Sequence, residues 1–375
     1  MKLRALTGTG GKRQLREQVE NGFSNLPAGC YVELQKVARD YILENLRQTD
    51  NRLKALIEQV RTFEADTGRE LTLANFLDEY GLSLYEFYSN NGARSLNMLK
   101  RKAGLVESTN PEMTESEKRS FSAMTGLFHI NSPKLLDYWI RYIEDGLEPR
   151  TEEERLMRNM LYYTFFNKHP AKMGFRDIDD GIASILQPGA IRDEALEILH
   201  YKRDHISFVA GKNEYPFACP LELHCQYNTP QIMAAFDFFN ETQSPEFRAG
   251  VKYFAEKATD IFLINLNKTE KEFSPSTMYD DYAISAQLFN WQSQSHDRDT
   301  SAKIQRYIHH QETGNTISLF VREYKRNGSY TAAYMFLGNA DYVSHKGSQP
   351  VTFVWKLHKP IPADLRPKAN KTIAM

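Results

Sequence analysis

Apolar residues recur at helical spacing over roughly the first two hundred positions, and at strand spacing after about residue 206. In "PAGCYVELQKVARDYILENLRQ", residues 27–48, Val32, Leu34, Val37, Tyr41, Ile42 and Leu46 fall on one helical stripe. "SLYEF" fits a capping box, with Ser83 as N-cap and Glu86 three residues on. "NNGARSLNMLKRKAGL" adds a short helix ending near Gly104. These short helices fit either a helix-turn-helix or a small helical bundle. "VESTNPEMTESEKR", residues 106–119, is rich in Ser, Thr, Glu and Pro, and its first half reads as a linker. Three helices are expected beyond it. "SPKLLDYWIRYIEDG" has Ser132 as N-cap, Pro133 at the first helical position and Gly146 just past the end. "TEEERLMRNMLYYTFF" repeats the capping box at Thr151 and Glu154, and "PGAIRDEALEILHYKRD" makes the third helix. Their aromatic stripes (Tyr138, Trp139, Tyr142; Tyr162, Phe165, Phe166) read as core.

The second period is that of strands. "ISFVAG", "LELHCQY", "FRAGVKYFA", "DIFLINLN", "AISAQLFNW", "TISLFVREY", "TAAYMFLG" and "PVTFVWKLH" are short β-rich runs separated by turn residues. One helix, "TPQIMAAFDFF" at 229–239, interrupts them. Many short strands with one helix suggest a small closed or nearly closed barrel, since closure removes exposed strand edges. The fold class is therefore α+β: an N-terminal all-α region followed by a C-terminal small β-barrel. The segments read as 1–105, 106–205 and 206–375. Tyr334, Phe336 and Trp355 alternate as core residues do, and Gly338 and Gly347 suggest tight turns around a short strand.

Composition narrows the class. An apolar fraction of 41% and a charged fraction of 25% are those of a globular domain. No run of 18 apolar residues and no signal peptide is evident, so a cytoplasmic protein with no membrane partner is expected. Three cysteines, Cys30, Cys219 and Cys225, cannot build a disulfide framework. The net charge of −1 hides an asymmetry. Residues 285–375 carry twelve Lys/Arg and six Asp/Glu, which leaves 35 basic and 42 acidic groups for residues 1–284. A basic end on an acidic body points to a polyanion at the C-terminal end.

Several catalytic signatures fail on inspection. "GTGGKRQL" lacks the first glycine of a phosphate loop and has Arg13 where a magnesium-binding Ser/Thr belongs. "HYKRDHIS" has Ser207 where a phospholipase D-like nuclease needs Asp. "TDIFLINLNK" has Asn265 and Asn267 where a metal-dependent nuclease needs a second carboxylate. Cys219, His224 and Cys225 fit no zinc spacing and read as structural. No cofactor and no metal is expected.

One stretch combines three chemistries. "LFNWQSQSHDRDTSAKIQRYIHH", residues 288–310, joins an aromatic wall to two amides and a basic loop. A base that leaves a duplex needs a π surface, hydrogen-bond partners for its edge, and cations on the surrounding phosphates. Trp291 offers the first, unless strand alternation turns it into the core. Gln292, Ser293 and Gln294 offer the second, and Arg298, Lys303 and Arg306 the third. Tyr279 and Tyr282, just upstream, lie where a barrel mouth is expected, and His345 and Lys346 are placed to touch phosphate.

"PLELHCQYNTPQIMAAF", "FNWQSQS", "SLFVREY" and "YMFLGNADYVSHKGSQPVTFVWKLHKPIP" together resemble the C-terminal domain of SauUSI-type restriction enzymes, type IV systems that cut DNA carrying modified cytosine. "GFSNLPAGCYVELQKVARDYIL" and "ELTLANFLDEYGLSLYEFY" resemble the segment that follows the helicase core in the same proteins. The resemblance covers nearly the whole chain. It implies a helical coupling region and a target-recognition domain similar to the SRA/PUA-like barrels, working beside helicase and nuclease domains of the same polypeptide. The implied ligand is duplex DNA with 5-methylcytosine or 5-hydroxymethylcytosine, read by base flipping. Tyr279, Tyr282, Trp291, Gln292, Ser293 and Gln294 would form the pocket. Arg298, Lys303, Arg306, Arg322, Lys325, Arg326, His345 and Lys346 would hold the DNA backbone. Two other readings stay open: a nuclease with an unrecognised metal site, and a PUA-like RNA-binding barrel.

Overall fold

A computed structural model of the chain describes residues 53–88, 94–108, 110–240, 250–267, 281–327, 330–363 and 365. The helix expected at 27–48, Cys30 and Tyr279 lie outside the described residues. The chain divides into two compact units. One takes in Met1–Phe128 and Ile182–His205, the other His129–Gly181 and Ile206–Met375. The architecture is α+β. Among the described residues, no helix is long and apolar enough to cross a membrane.

The first unit is helical, and its ends are set by caps the sequence advertises. Ser83 and Glu86 form the reciprocal capping box, although the helix they start, Leu84–Phe87, is a single turn. Gly104 takes the left-handed conformation that ends Leu96–Ala103. One feature joins distant segments. Glu194, on helix Ala190–Asp204, is buried and accepts hydrogen bonds from Tyr88 Oη (2.6 Å), Leu96 N (2.6 Å) and Asn97 N (3.1 Å). It therefore caps the N-terminus of Leu96–Ala103 from a helix some hundred residues away. Burial pushes its carboxyl up to about 7, against hydrogen bonds that favour the ionised form.

In the second unit, helices Pro133–Asp145 and Glu152–Phe165 start at Ser132 and Thr151, as their spacing predicts. Helix Thr229–Ala235 starts at Asn228, with Gln231 completing a capping box. Trp139, Tyr138 and Tyr162 are core.

The strands are β1 (Gly211–Lys212), β2 (Glu222–Leu223), β3 (Gln226–Tyr227), β4 (Val251–Phe254), β5 (Thr259–Asn265), β6 (Tyr282–Ala283), β7 (Leu288–Gln292), β8 (Thr316–Arg322), β9 (Arg326–Asn327), β10 (Tyr330–Thr331), β11 (Tyr334–Lys346) and β12 (Thr352–Leu357). The main sheet runs β4-β5-β8-β11-β12-β7-β6, with β3 also on β11. Neighbours are antiparallel except β5 and β8, which are parallel. Among the described residues this sheet is open, so the expected barrel closure is not seen. The central strands explain how two-sided burial is met without it. β5 and β8 are buried along nearly their whole length on both faces, as parallel strands covered on both sides are. One face packs on helix Ala302–Ile308 through Ile304 and Tyr307. The other is covered by Tyr215, which stacks with Phe336, and by Phe236. Layers thus do the work expected of closure.

Three local expectations change. "ISFVAG" forms no strand before its last residue, Gly211, where the two-residue β1 begins. "AISAQLFNW" is a hairpin rather than one strand: β6 ends at Ala283 and β7 begins at Leu288. Gly338 is not a turn. It sits inside the 13-residue β11, at a bulge opposite Leu319. Its φ is 89°, and a Cβ there would lie 2.6 Å from Leu223 Cδ1. Glycine is required because that backbone region strains an L side chain and because β2 packs so close. Gly338→Ala is expected to cost about 1–2 kcal/mol of stability. A melting temperature equal to that of the unaltered chain would contradict this account.

Candidate nucleic-acid interface

The sheet end formed by β11, β12 and β7 has two dissimilar faces. Directly paired residues share a face, so the register assigns each side chain. Tyr342, Trp355 and Phe289 are aligned across the three strands, as are His345, Phe353 and Trp291. These rows point toward helix Ala302–Ile308. The opposite face carries the row Lys346, Thr352, Gln292, then Ser344, Val354, Asn290, then Asp341, Lys356, Leu288. Tyr282 on β6 joins it beside Asn290. Lys346, Ser344 and Lys356 are exposed, and Gln292, Thr352, Val354 and Tyr282 are half-buried. Gln292 Nε2 donates to Thr352 Oγ1 at 3.4 Å, and its backbone N–H to Asp281 Oδ1 at 2.9 Å.

Beyond these rows the chain forms a rim from two loops, 293–300 and 347–351. Ser293 holds them together: its N–H donates to Val351 O (2.9 Å) and its Oγ accepts from Val351 N (3.0 Å). Gln349 N donates to Asp297 O (3.0 Å), and Ser348 Oγ to Asp299 Oδ1 (3.0 Å). Residues 343–349 are all exposed, as are Ser295, His296, Arg298 and Thr300. Among the described residues no carboxylate lies within ion-pair distance of Arg298, Lys346 or Lys356.

The expected pocket residues separate. Trp291 is core: it is 5% exposed and stacks on Phe262 at 4.2 Å, with Tyr307 and Phe353 beside it. Strand alternation places it on the face opposite Gln292, and no bulge at Ser293 reverses that. Ser293 is wholly buried and ties the rim together. Gln294 faces the rim, where its Oε1 accepts from Lys303 Nζ at 2.9 Å. Gln292 and Tyr282 alone of the described pocket members share the open face.

The expected backbone cations separate as well. Arg306 is not in a loop. It belongs to helix Ala302–Ile308, capped by Ser301, and forms a two-pronged pair with Asp260 at 2.8 and 2.9 Å. Asp260 is 1% exposed and also accepts from Asn315 Nδ2 at 2.9 Å. The Arg306 guanidinium lies 3.8 Å from the Tyr253 ring centre. Lys303 pairs with buried Asp297 at 2.7 Å. Arg322 is 9% exposed, donates to Asn265 and to Ala332 O (2.8 Å), and sits over Tyr334. Lys325 and Arg326 are exposed at the β9–β10 hairpin. That hairpin follows β8 and precedes β11, at the far end of the sheet from the rim. His345 and Lys346 are exposed at the rim itself.

Sequence reading missed helix Ala302–Ile308, although Ser301 followed by Ile304, Tyr307 and Ile308 is a cap and an apolar face. It also missed Lys356 and Thr352, whose signal is their register with Gln292. The nuclease-like Asp260 is held by Arg306 and Asn315. Cys219 and Cys225 are buried, and burial pushes the Cys219 thiol up to about 12 and the Cys225 thiol higher than usual. His224 breaks the strand there with a φ of 66°.

The model of a domain of unknown function, DUF3427, matches residues 221–367. This interval is less than half of the chain, yet it contains the open face and the rim. No curated protein matches the chain.

Proposed function

We propose that the second unit is the DNA-reading module of a modification-dependent restriction helicase–nuclease, and that it reads 5-methylcytosine or 5-hydroxymethylcytosine in duplex DNA. The resemblance to SauUSI-type enzymes supports the partner. The observation that carries the reading is a trio of exposed cations, Arg298, Lys346 and Lys356, with no carboxylate at ion-pair distance among the described residues, on the rim and on the open face that carries the Gln292 amide. Cations fix a duplex by its phosphates, while an amide reads a base edge. Trp291, being packed in the core, supplies no stacking surface in this scheme. The contact to the base runs instead through Gln292 and Tyr282 on the open face.

The test compares otherwise identical duplexes carrying cytosine, 5-methylcytosine or 5-hydroxymethylcytosine. Arg298→Ala and Lys346→Ala should weaken all three alike, each lowering the slope of log affinity against log salt by about one. Gln292→Ala should instead reduce the preference for the modified duplex. Equal affinity of the unaltered chain for all three duplexes would reject the reading. Tighter binding to a structured RNA would favour the RNA-binding alternative. A fluorescent base analogue at the target position should brighten if the base leaves the stack.

A further inference from the structure

β11 contains a second bulge, at Val343, and its position has a consequence for the rim. In a regular strand Tyr342 and His345, three residues apart, would point to opposite faces. Here the register shifts between Tyr342 and Ser344, so Tyr342 pairs with Trp355 and His345 with Phe353. Both rings therefore stand on the aromatic face, and Tyr342 Oη lies 2.6 Å from His345 Nδ1. Tyr342 is anchored edge-on against Trp355 and Phe353, while His345 leans over Phe353 and remains exposed. Bulges commonly re-aim a side chain in this way.

The bulge is itself held in place. β11 outruns β8, whose last partner in this direction is Ala340 opposite Ile317. The Tyr342 N–H, beyond that point, donates instead to His310 Nε2 at 3.0 Å. His310 Nδ1 is 3.0 Å from Asn315 O, to which it must donate, so His310 is neutral with its proton on Nδ1. Burial lowers its pKa, in keeping with that state. His310, Tyr342 and His345 thus form a chain from the buried end of helix Ala302–Ile308 to the rim.

Resting on the reading of the rim as a DNA interface, we infer that His345 is a phosphate contact and that Tyr342 is its positioning residue. With Tyr342 donating to Nδ1, the outward Nε2 carries the proton and can donate to a phosphate oxygen. Lys346 and Arg298 supply charge beside it. Of the two carboxylates in loop 293–300, Asp299 is taken up by Ser348 Oγ and Thr300 N, and Asp297 by Lys303 Nζ and Gln294 N. The bulge is what puts Tyr342 and His345 on one face, and ordinary alternation then sends the Lys346 ammonium to the other face of the same tip.

The experiment is a double-mutant cycle on duplex affinity, using Tyr342→Phe, which keeps the packed ring, and His345→Ala. Each single variant should weaken modified and unmodified duplexes about three- to tenfold. The double variant should be no weaker than His345→Ala alone, because Tyr342 acts through His345. Nitrogen-15 shifts of the His345 ring should show the Nε2-protonated tautomer in the unaltered chain and a tautomer mixture in Tyr342→Phe. Additive losses, or a Tyr342→Phe chain that binds as tightly as the unaltered one, would overturn the inference. So would a change of preference between duplexes with affinity retained, since that marks a base contact. An unaltered chain that binds both duplexes equally rejects the modified-base reading but leaves the cycle valid.

Discussion

Arg306→Ala will destabilise the sheet unit by about 3–5 kcal/mol, the usual cost of leaving one partner of a buried ion pair alone. Asp260 is 1% exposed, and without Arg306 its carboxylate keeps, among the described residues, only the Asn315 amide as a side-chain donor. The substitution also removes the guanidinium from the face of Tyr253. Urea unfolding followed by far-ultraviolet circular dichroism checks the magnitude. A loss below about 1 kcal/mol, the range of surface pairs, would show that the pair is solvated in practice. Affinity for DNA, corrected to the folded fraction, should stay within a few-fold. A full unit lost from the salt slope would return Arg306 to the phosphate contacts.

Trp291→Ala will cost a similar amount, about 3–5 kcal/mol, because a large core aromatic is truncated to a methyl group. The lost packing includes the stacked Phe262 and the neighbouring Tyr307 and Phe353. Trp291→Phe should recover much of the loss. Under conditions where either variant is folded, the preference between modified and unmodified duplexes should be unchanged. Gln292→Ala should show the reverse pattern: a nearly normal melting temperature and a reduced preference. A stable Trp291→Ala chain that has lost its preference would mean that Trp291 turns outward to a base, and the core assignment would be wrong.

Arg306 and Trp291 lie in the same sequence stretch as the candidate site, where Arg306 is expected to touch phosphate and Trp291 either to stack on a base or to join the core. Alternation alone already placed Trp291 and Gln292 on opposite faces. Which face is core depends on what covers it, and helix Ala302–Ile308 is the cover. That helix is short and polar on one side, so its seven residues gave a weak periodic signal inside a stretch that reads as a basic loop. Arg306 looked like a free cation for a related reason: its carboxylate does not lie beside it on a local pattern. Asp260 is 46 residues from Arg306, on another element. A charge count along the chain cannot tell an exposed cation from a paired one.

The sequence by itself determined the features whose physics acts within about one helical turn. Ser83, Thr151, Ser132 and Asn228 start helices because a side-chain oxygen reaches a backbone N–H two or three residues on, and Gly104 and Gly146 end them by a local change of φ. The change of period near residue 206 likewise assigned the helical and β-rich parts. Tertiary structure decided the rest: the open layered sheet in place of a barrel, and the bulges at Gly338 and Val343. It also brought Gln292, Thr352 and Lys346 into one row and set Arg306 against Asp260. Each of these depends on pairing between segments far apart in the chain, and a shift of one residue in register moves every side chain of a strand to the other face.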